Sequence, residues 1–118
     1  MKIGIIIPAH NEANYIKKTL DSLLNQSRLP DLLCVVDDNS TDHTPEIISQ
    51  YADQYDWIYM TTIKSSQSRI PGAKVIDAWN KGLKFISNCD IMCKFDADLI
   101  FPKNYISELM KRFSEDEK

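Results

Sequence analysis

The sequence predicts an α/β protein built on a doubly wound, mainly parallel sheet of four strands, with helices on both faces. Three observations lead to that class. Four short apolar runs alternate with four stretches of helical periodicity, the pattern of parallel strands joined by crossover helices. The first run, Ile3-Gly4-Ile5-Ile6-Ile7, is continuous and not alternating, as expected of a strand covered on both faces. Polar and acidic residues gather just beyond the first, second and fourth runs, where an open parallel sheet keeps its ligand crevice.

The first strand is expected over Ile3–Ile7, with Pro8 stopping it. From Glu12 to Gln26 the apolar residues Ile16, Leu20, Leu23 and Leu24 share one helical face, and Asn11 is the expected N-cap. The second strand, Leu32–Val36, runs into the turn formers Asp37-Asp38-Asn39-Ser40. Thr44-Pro45-Glu46 then sets a capping hydroxyl, a proline at the first helical position and an acid in the first turn. That helix should reach Gln54 and turn Ile47, Ile48, Tyr51 and Ala52 inward. Trp57–Thr62 reads as the third strand, and Ile63–Gly72 as the longest loop. Ala73–Ser87 restores helical spacing through Ile76, Trp79, Leu83 and Ile86, although Gly82 should cost about 1 kcal/mol relative to Ala. Ile91–Phe95 is the fourth strand, followed by Asp96-Ala97-Asp98. A last helix is expected between Pro102 and Phe113, burying Ile106, Leu109, Met110 and Phe113. Residues 1–113 form the domain, and Ser114–Lys118 a charged, frayed tail. Strand order 3-2-1-4 is the commonest doubly wound start and is adopted as a prior.

At 118 residues the chain is a little short of one typical domain of about 150 residues. Its 43% hydrophobic and 26% charged content excludes disorder for the body of the chain. With 14 basic against 17 acidic residues, and the positive charge scattered, nucleic acid is not an expected partner. The run at Ile3–Ile7 is too short for a membrane span or a signal-peptide core, and a cytoplasmic location is the default. Cys34, Cys89 and Cys93 read as reduced thiols in a core, and without a second Cys or His pair they do not make a zinc site.

The chemistry is expected at the carboxyl ends of the strands. If strands two, one and four are neighbours, Glu12, Asp37, Asp38, Asp96 and Asp98 converge on one rim. Crowded carboxylates repel unless a cation or hydrogen-bond donors compensate them. A hard divalent ion does so, using one or two carboxylates together with substrate phosphates. In extended geometry Asp96 and Asp98 would point the same way. Each feature also has a plainer reading. Asp37–Asp42 can be a solvated turn with an Asx-type cap, His10 a capping residue, His43 exposed loop and Trp79 core. Arg69 and Lys74 can be a solvated stretch, or can neutralise a diphosphate.

Taken together, Ile5-Ile6-Ile7-Pro8-Ala9-His10-Asn11-Glu12, then Val35-Val36-Asp37-Asp38-Asn39-Ser40-Thr41-Asp42, then Asp96-Ala97-Asp98 resemble the family 2 glycosyltransferases of the GT-A fold. The resemblance spans nearly the whole chain and rests on the order and spacing of three motifs. It implies a Rossmann-like, nucleotide-sugar-binding half of a GT-A domain. The donor would be a nucleotide-diphosphate sugar, with a UDP-sugar preferred, transferred with inversion to an acceptor hydroxyl. Pro8, Ala9, His10 and Glu12 would line the nucleotide. Asp37 would belong to the nucleotide-binding set, and Asp38 would accept a hydrogen bond from the base ring. Asp96 would approach the ribose and metal, and Asp98 would ligate Mg²⁺ or Mn²⁺. Arg69, Gly72, Lys74 and Asn80 resemble the family's segment lining the nucleotide pocket.

Two departures from the family pattern stand out. Leu99 occupies a position where many members carry another acid. The family's later part, which supplies the acceptor pocket and the catalytic base, has no counterpart here, so the chain is expected to be the donor-binding half of a larger enzyme. The alternative is a non-catalytic nucleotide-binding or assembly module that associates through the sheet edge beside strand four. A dinucleotide dehydrogenase is excluded, because no Gly-x-Gly-x-x-Gly turn follows strand one and the chain has only Gly4, Gly72 and Gly82. Nucleotidyltransferases of related architecture carry a Gly-rich basic loop after strand one, which is also missing. Phosphoryl-transfer proteins usually place an essential Asp after strand one, where this chain has none.

Overall fold

β1 (Ile3–Ala9) lies between β2 (Leu32–Asp38) and β4 (Ile91–Lys94), and β3 (Ile58–Ile63) completes the order β3-β2-β1-β4 with every pairing parallel. This is a computed structural model, and it describes residues 1–64 and 73–116. The helices are α1 (Ile16–Leu24), α2 (Thr44–Gln54), α3 (Ala73–Ile86) and α4 (Tyr105–Asp116). The adopted strand order and the α/β class both hold.

Alternation along the strands builds two cores. Ile3, Ile5 and Ile7 of β1 and Leu33 and Val35 of β2 pack with Ile16, Leu20 and Leu23 of α1, Ile48 of α2 and Ile106 of α4. Ile6, Cys34 and Val36 face the other way, against Ala78 and Ile86 of α3. A strand covered on both faces has no solvent side, which is why β1 reads as an unbroken apolar run. The thiols are free, and burial pushes Cys34 up to about 12, so it is an inert core residue.

Several expectations need correction. β1 continues through Pro8 to Ala9, with Pro8 opposite Val36. The proline is tolerated because the β4 ladder ends at Ile6↔Lys94, leaving β1 a locally free edge beyond that point. β2 likewise runs on through Asp38, and the turn begins at Asn39, whose φ is 56°. α1 starts at Ile16 and not at Glu12; Asn11 has φ 52° and is no N-cap, and the Glu12 carbonyl instead accepts from the amides of Tyr15 (2.9 Å) and Ile16 (2.8 Å). Thr44 is the first residue of α2 and not its cap. β4 ends at Lys94, one residue early. α4 carries Ser114–Asp116 as helix where a frayed tail was expected, while residues 117–118 lie outside the described residues.

The inward faces of α3 and α4 also differ from expectation. Ile76 is 58% exposed, because Ala78, Gly82 and Ile86 carry the contact line of α3. Small residues there let the helix approach β1 closely: a Cβ at Gly82 would meet the Ile6 side chain at 2.9 Å, and one at Gly4 would meet Ile86 Cβ at 2.6 Å. Gly82 therefore exchanges helix propensity for proximity. Burial falls along α4 from Ile106 through half-buried Leu109 and Met110 to Phe113, which is 41% exposed as the helix leaves the core.

Gly4→Ala should destabilise the protein by about 1–3 kcal/mol, the usual cost of overpacking, read as a lower urea midpoint at unchanged m-value. An unchanged midpoint would mean that α3 moves off the sheet freely.

Candidate functional site

Because β2, β1 and β4 are parallel neighbours, their carboxyl ends open onto one rim. The loop after β1 and the loop after β2 are laced together there across some thirty residues of sequence. His10 Nδ1 lies 2.6 Å from the Asp38 carbonyl. A carbonyl only accepts, so Nδ1 donates its hydrogen, and Nε2 lies 3.3 Å from Asn11 Nδ2. The Asn11 amide donates to Ser40 Oγ (3.0 Å), and the Thr41 amide donates back to Asn11 Oδ1 (2.8 Å). The Glu12 amide donates to Thr44 Oγ1 at 2.9 Å and the Ala13 amide to Asp42 Oδ2 at 3.3 Å. Asp42 Oδ1 accepts in turn from the Thr44 amide (2.9 Å) and hydroxyl (2.5 Å). Asp42 thus makes an Asx-type turn ahead of α2, whose cap position is His43 without a side-chain cap bond, and these donors, the Thr44 hydroxyl foremost, hold its carboxyl below the usual carboxylate range.

The acids share one field. Burial raises the pKa of Glu12; Asp98 raises it further, followed by Asp42 and then Asp96, while His10 opposes them. Carboxylates distant in sequence therefore act on one another at this rim. Asp96 is ion-paired with Lys94 at 2.9 Å, its side chain 64% exposed. Asp37 and Asp38 are both buried, and alternation from Val35 and Val36 sends them to opposite faces of the sheet. Asp37 Oδ1 is a buried acceptor with no hydrogen-bond partner among the described residues, an arrangement that suits a ligand donor.

Asp96 and Asp98 do not continue the strand. β4 has ended, and the Leu99 amide reaches back to the Asp96 carbonyl at 3.4 Å in a turn. Both acids are exposed, and Ala97 between them is buried. No three His, Cys, Asp or Glu side chains among the described residues form a ready metal cage. The donor set still fits a hard divalent ion, which commonly takes only one or two carboxylates and completes its shell with phosphate oxygens and water.

Of the residues singled out from the sequence, Pro8, Ala9, His10, Glu12, Asp37, Asp38, Asp96 and Asp98 are brought to this rim. Asn80 is not: it is exposed on α3 between buried Ala78 and Gly82, and two helical residues turn the chain by about 200°, so it looks away from the sheet. Arg69 and Gly72 lie outside the described residues. Lys74 falls in the first turn of α3, with its side chain likewise outside them. Sequence reasoning missed Thr44 as the hub of the lacing, and also the buried polar residues Thr19 and Gln26. For Thr19 the signal was a polar residue beside the apolar face of α1; Gln26 lies past the helix end and had none.

The sequence pattern of glycosyl transferase family 2 matches residues 4–118. The chain belongs to that family. A probable glycosyltransferase of Bacillus subtilis, YdaM, is 35% identical over 119 residues, covering 99% of this chain and 27% of its own length. Staphylococcus aureus TarS, solved with UDP, superposes with a TM-score of 0.76 at 24% identity, over 98% of this chain and 32% of TarS 1-349. The mannosyltransferase PcManGT of Pyrobaculum calidifontis, solved with GDP-Man and Mn²⁺, gives 0.65 at 28% identity, over 86% of this chain and 28% of its own. The chain spans about a third or less of the length of these proteins. No helix among its described residues is long and apolar enough to cross a membrane.

Two variants probe the rim. Thr44→Val leaves the Glu12 amide without its partner and should cost about 1–3 kcal/mol in chemical denaturation; no loss would mean that water replaces the hydroxyl. The folded protein holds the Glu12 proton more tightly than the unfolded chain does. This group's contribution to stability is therefore complete in acid, below the ordinary glutamate range, and lost as pH rises through the folded value. Glu12→Gln should thus raise Tm at neutral pH, by under about 1 kcal/mol of stability, with the gain vanishing in acid. A larger gain in acid than at neutral pH would contradict the sign.

Proposed function

We propose that this chain is the donor-binding half of an inverting, metal-dependent family 2 glycosyltransferase that takes a nucleotide-diphosphate sugar, with a UDP-sugar preferred. The observation that carries the reading is the field of Asp98, Asp42 and Asp96 on Glu12 at the carboxyl edge of the sheet, in a chain of this family. Acids gathered on one open rim make a site for a cation and the anionic group it carries. The complexes of PcManGT with GDP-Man and Mn²⁺ and of TarS with UDP support both ligands by analogy.

The proposed roles follow from placement. Pro8, Ala9, His10 and Glu12 form the wall against the nucleoside. His10 is held by the Asp38 carbonyl through Nδ1–H, which fixes its ring beside the proposed nucleoside site. Asp37 offers its unpaired oxygen to a donor group of the base or sugar, and Asp38 the acceptor for the uracil ring N–H. Asp96 faces ribose and metal, and Asp98 is the principal metal ligand. Arg69, Gly72 and Lys74 are proposed to flank the diphosphate. A Mg²⁺ or Mn²⁺ ion held there would supply Lewis-acid stabilisation of the charge that develops on the departing diphosphate. No residue of this chain is assigned as the base that deprotonates the acceptor hydroxyl, so the proposal covers donor binding and not acceptor chemistry.

Calorimetric titration of UDP, with and without Mn²⁺, tests the reading in the wild type and in Asp98→Ala. Wild-type affinity should fall by roughly tenfold or more when Mn²⁺ is removed, within the range typical of metal-site perturbation. The Asp98→Ala variant should show the weaker affinity in both conditions. Equal affinity in all four titrations would overturn the metal assignment, and absence of UDP binding would overturn the donor reading.

A further inference from the structure

The segment after β4 is fastened to one edge of α1. Thr19, fully buried, donates its hydroxyl hydrogen to the carbonyl of Ala97 at 2.8 Å, and Ala97 is the buried residue between Asp96 and Asp98. Ser22 Oγ donates to the Thr19 carbonyl (2.7 Å) and accepts from the Phe101 amide (3.0 Å). Gln26 donates Nε2–H to the carbonyls of Pro102 (2.6 Å) and Ser22 (3.1 Å), and its Oε1 accepts from the Ile106 amide at 3.0 Å. Thr19 and Ser22, spaced i, i+3, share one face of α1, and Gln26 follows just past the helix's C-cap at Asn25. The Phe95 and Phe101 rings, 4.9 Å apart, close the base of the loop. What emerges is a short loop pinned at its ends and at its middle, with its two acids outside.

We propose that Thr19 is a positioning residue, seconded by Ser22 and Gln26: its hydrogen bond to the Ala97 carbonyl sets where the Asp96–Asp98 turn presents its carboxylates. The physical ground is that Ala97 is buried, so its carbonyl cannot turn to water; with the hydroxyl in place it has one low-energy orientation, and that orientation aims the flanking acids. Apolar packing alone would hold α1 against the sheet but would leave the turn free to rotate. The part of the inference that concerns metal rests on the donor-site reading above; the anchoring itself does not.

The test compares Thr19→Val, which keeps the shape and removes the hydroxyl, with Thr19→Ser, which restores it. Amide hydrogen exchange is read over residues 97–101 without ligand, and UDP is titrated with and without Mn²⁺. Thr19→Val should speed exchange in that window at least several-fold more than in β1 and β2. It should weaken UDP binding in Mn²⁺ by roughly 10- to 100-fold, the range for second-shell changes, while metal-free UDP binding stays within about twofold. Thr19→Ser should return both readouts toward wild type. If Thr19→Val does not fold, Ser22→Ala, which removes the acceptor of the Phe101 amide together with the donor to the Thr19 carbonyl, should show the same selective exchange on a smaller scale. Unchanged exchange over 97–101, or equal loss of metal-dependent and metal-free binding, would overturn the proposal. A wild type that binds no UDP, combined with selective exchange in the variant, would sink the donor reading and the metal part while leaving the anchor standing.

Discussion

The structure depends on the central place of β1 between two parallel neighbours. With β2 on one side and β4 on the other, the three chain ends leave the sheet side by side, and each does so with polar backbone groups that the sheet no longer satisfies. The neighbouring loop supplies the missing partners. Thr44 completes Glu12, Asp42 completes Ala13, and Ser40 and Asn11 complete one another's loops. The hydrogen bonds that finish the fold are therefore the ones that shape the rim of the site.

Electrostatics at that rim are tolerated and not optimised. Asp42 is held ionised by its donors, and Asp96 has Lys94. Glu12 carries the residual strain, with burial and three other acids all opposing its charge. A cation bound among these acids would offset that repulsion by its own attraction to each carboxylate. Sites for function are where such imbalance is expected.

α1 illustrates how one helix serves two purposes. Ile16, Leu20 and Leu23 hold it on the sheet, and Thr19 and Ser22 on its adjoining edge, with Gln26 just past its end, hold the loop after β4. Hydroxyl residues are indifferent helix formers, and their presence mid-helix is explained by what they hold, not by the helix itself. The small residues of α3 follow a similar logic, since Gly82 gives up propensity so that the helix can lie close against Ile6.

Much of this was legible in the chain. The unbroken run at Ile3–Ile7 announced a strand covered on both faces, and the alternation of strand and helix patterns announced parallel pairing. Acids placed just after the second and fourth runs pointed to the rim where the structure gathers Glu12, Asp42, Asp96 and Asp98. These are local properties, written in periodicity and in which residues a buried strand can accept. Tertiary structure alone decided the rest. The continuation of β1 through Pro8 depends on where β4 stops, and the inward face of α3 on where Gly4 leaves room. The turn at Asp96–Asp98, where extended geometry was expected, is met by a threonine hydroxyl from α1 at the Ala97 carbonyl. Each of these outcomes is set by partners far away in sequence, because a buried polar group or a steric gap is satisfied by whatever the fold brings beside it.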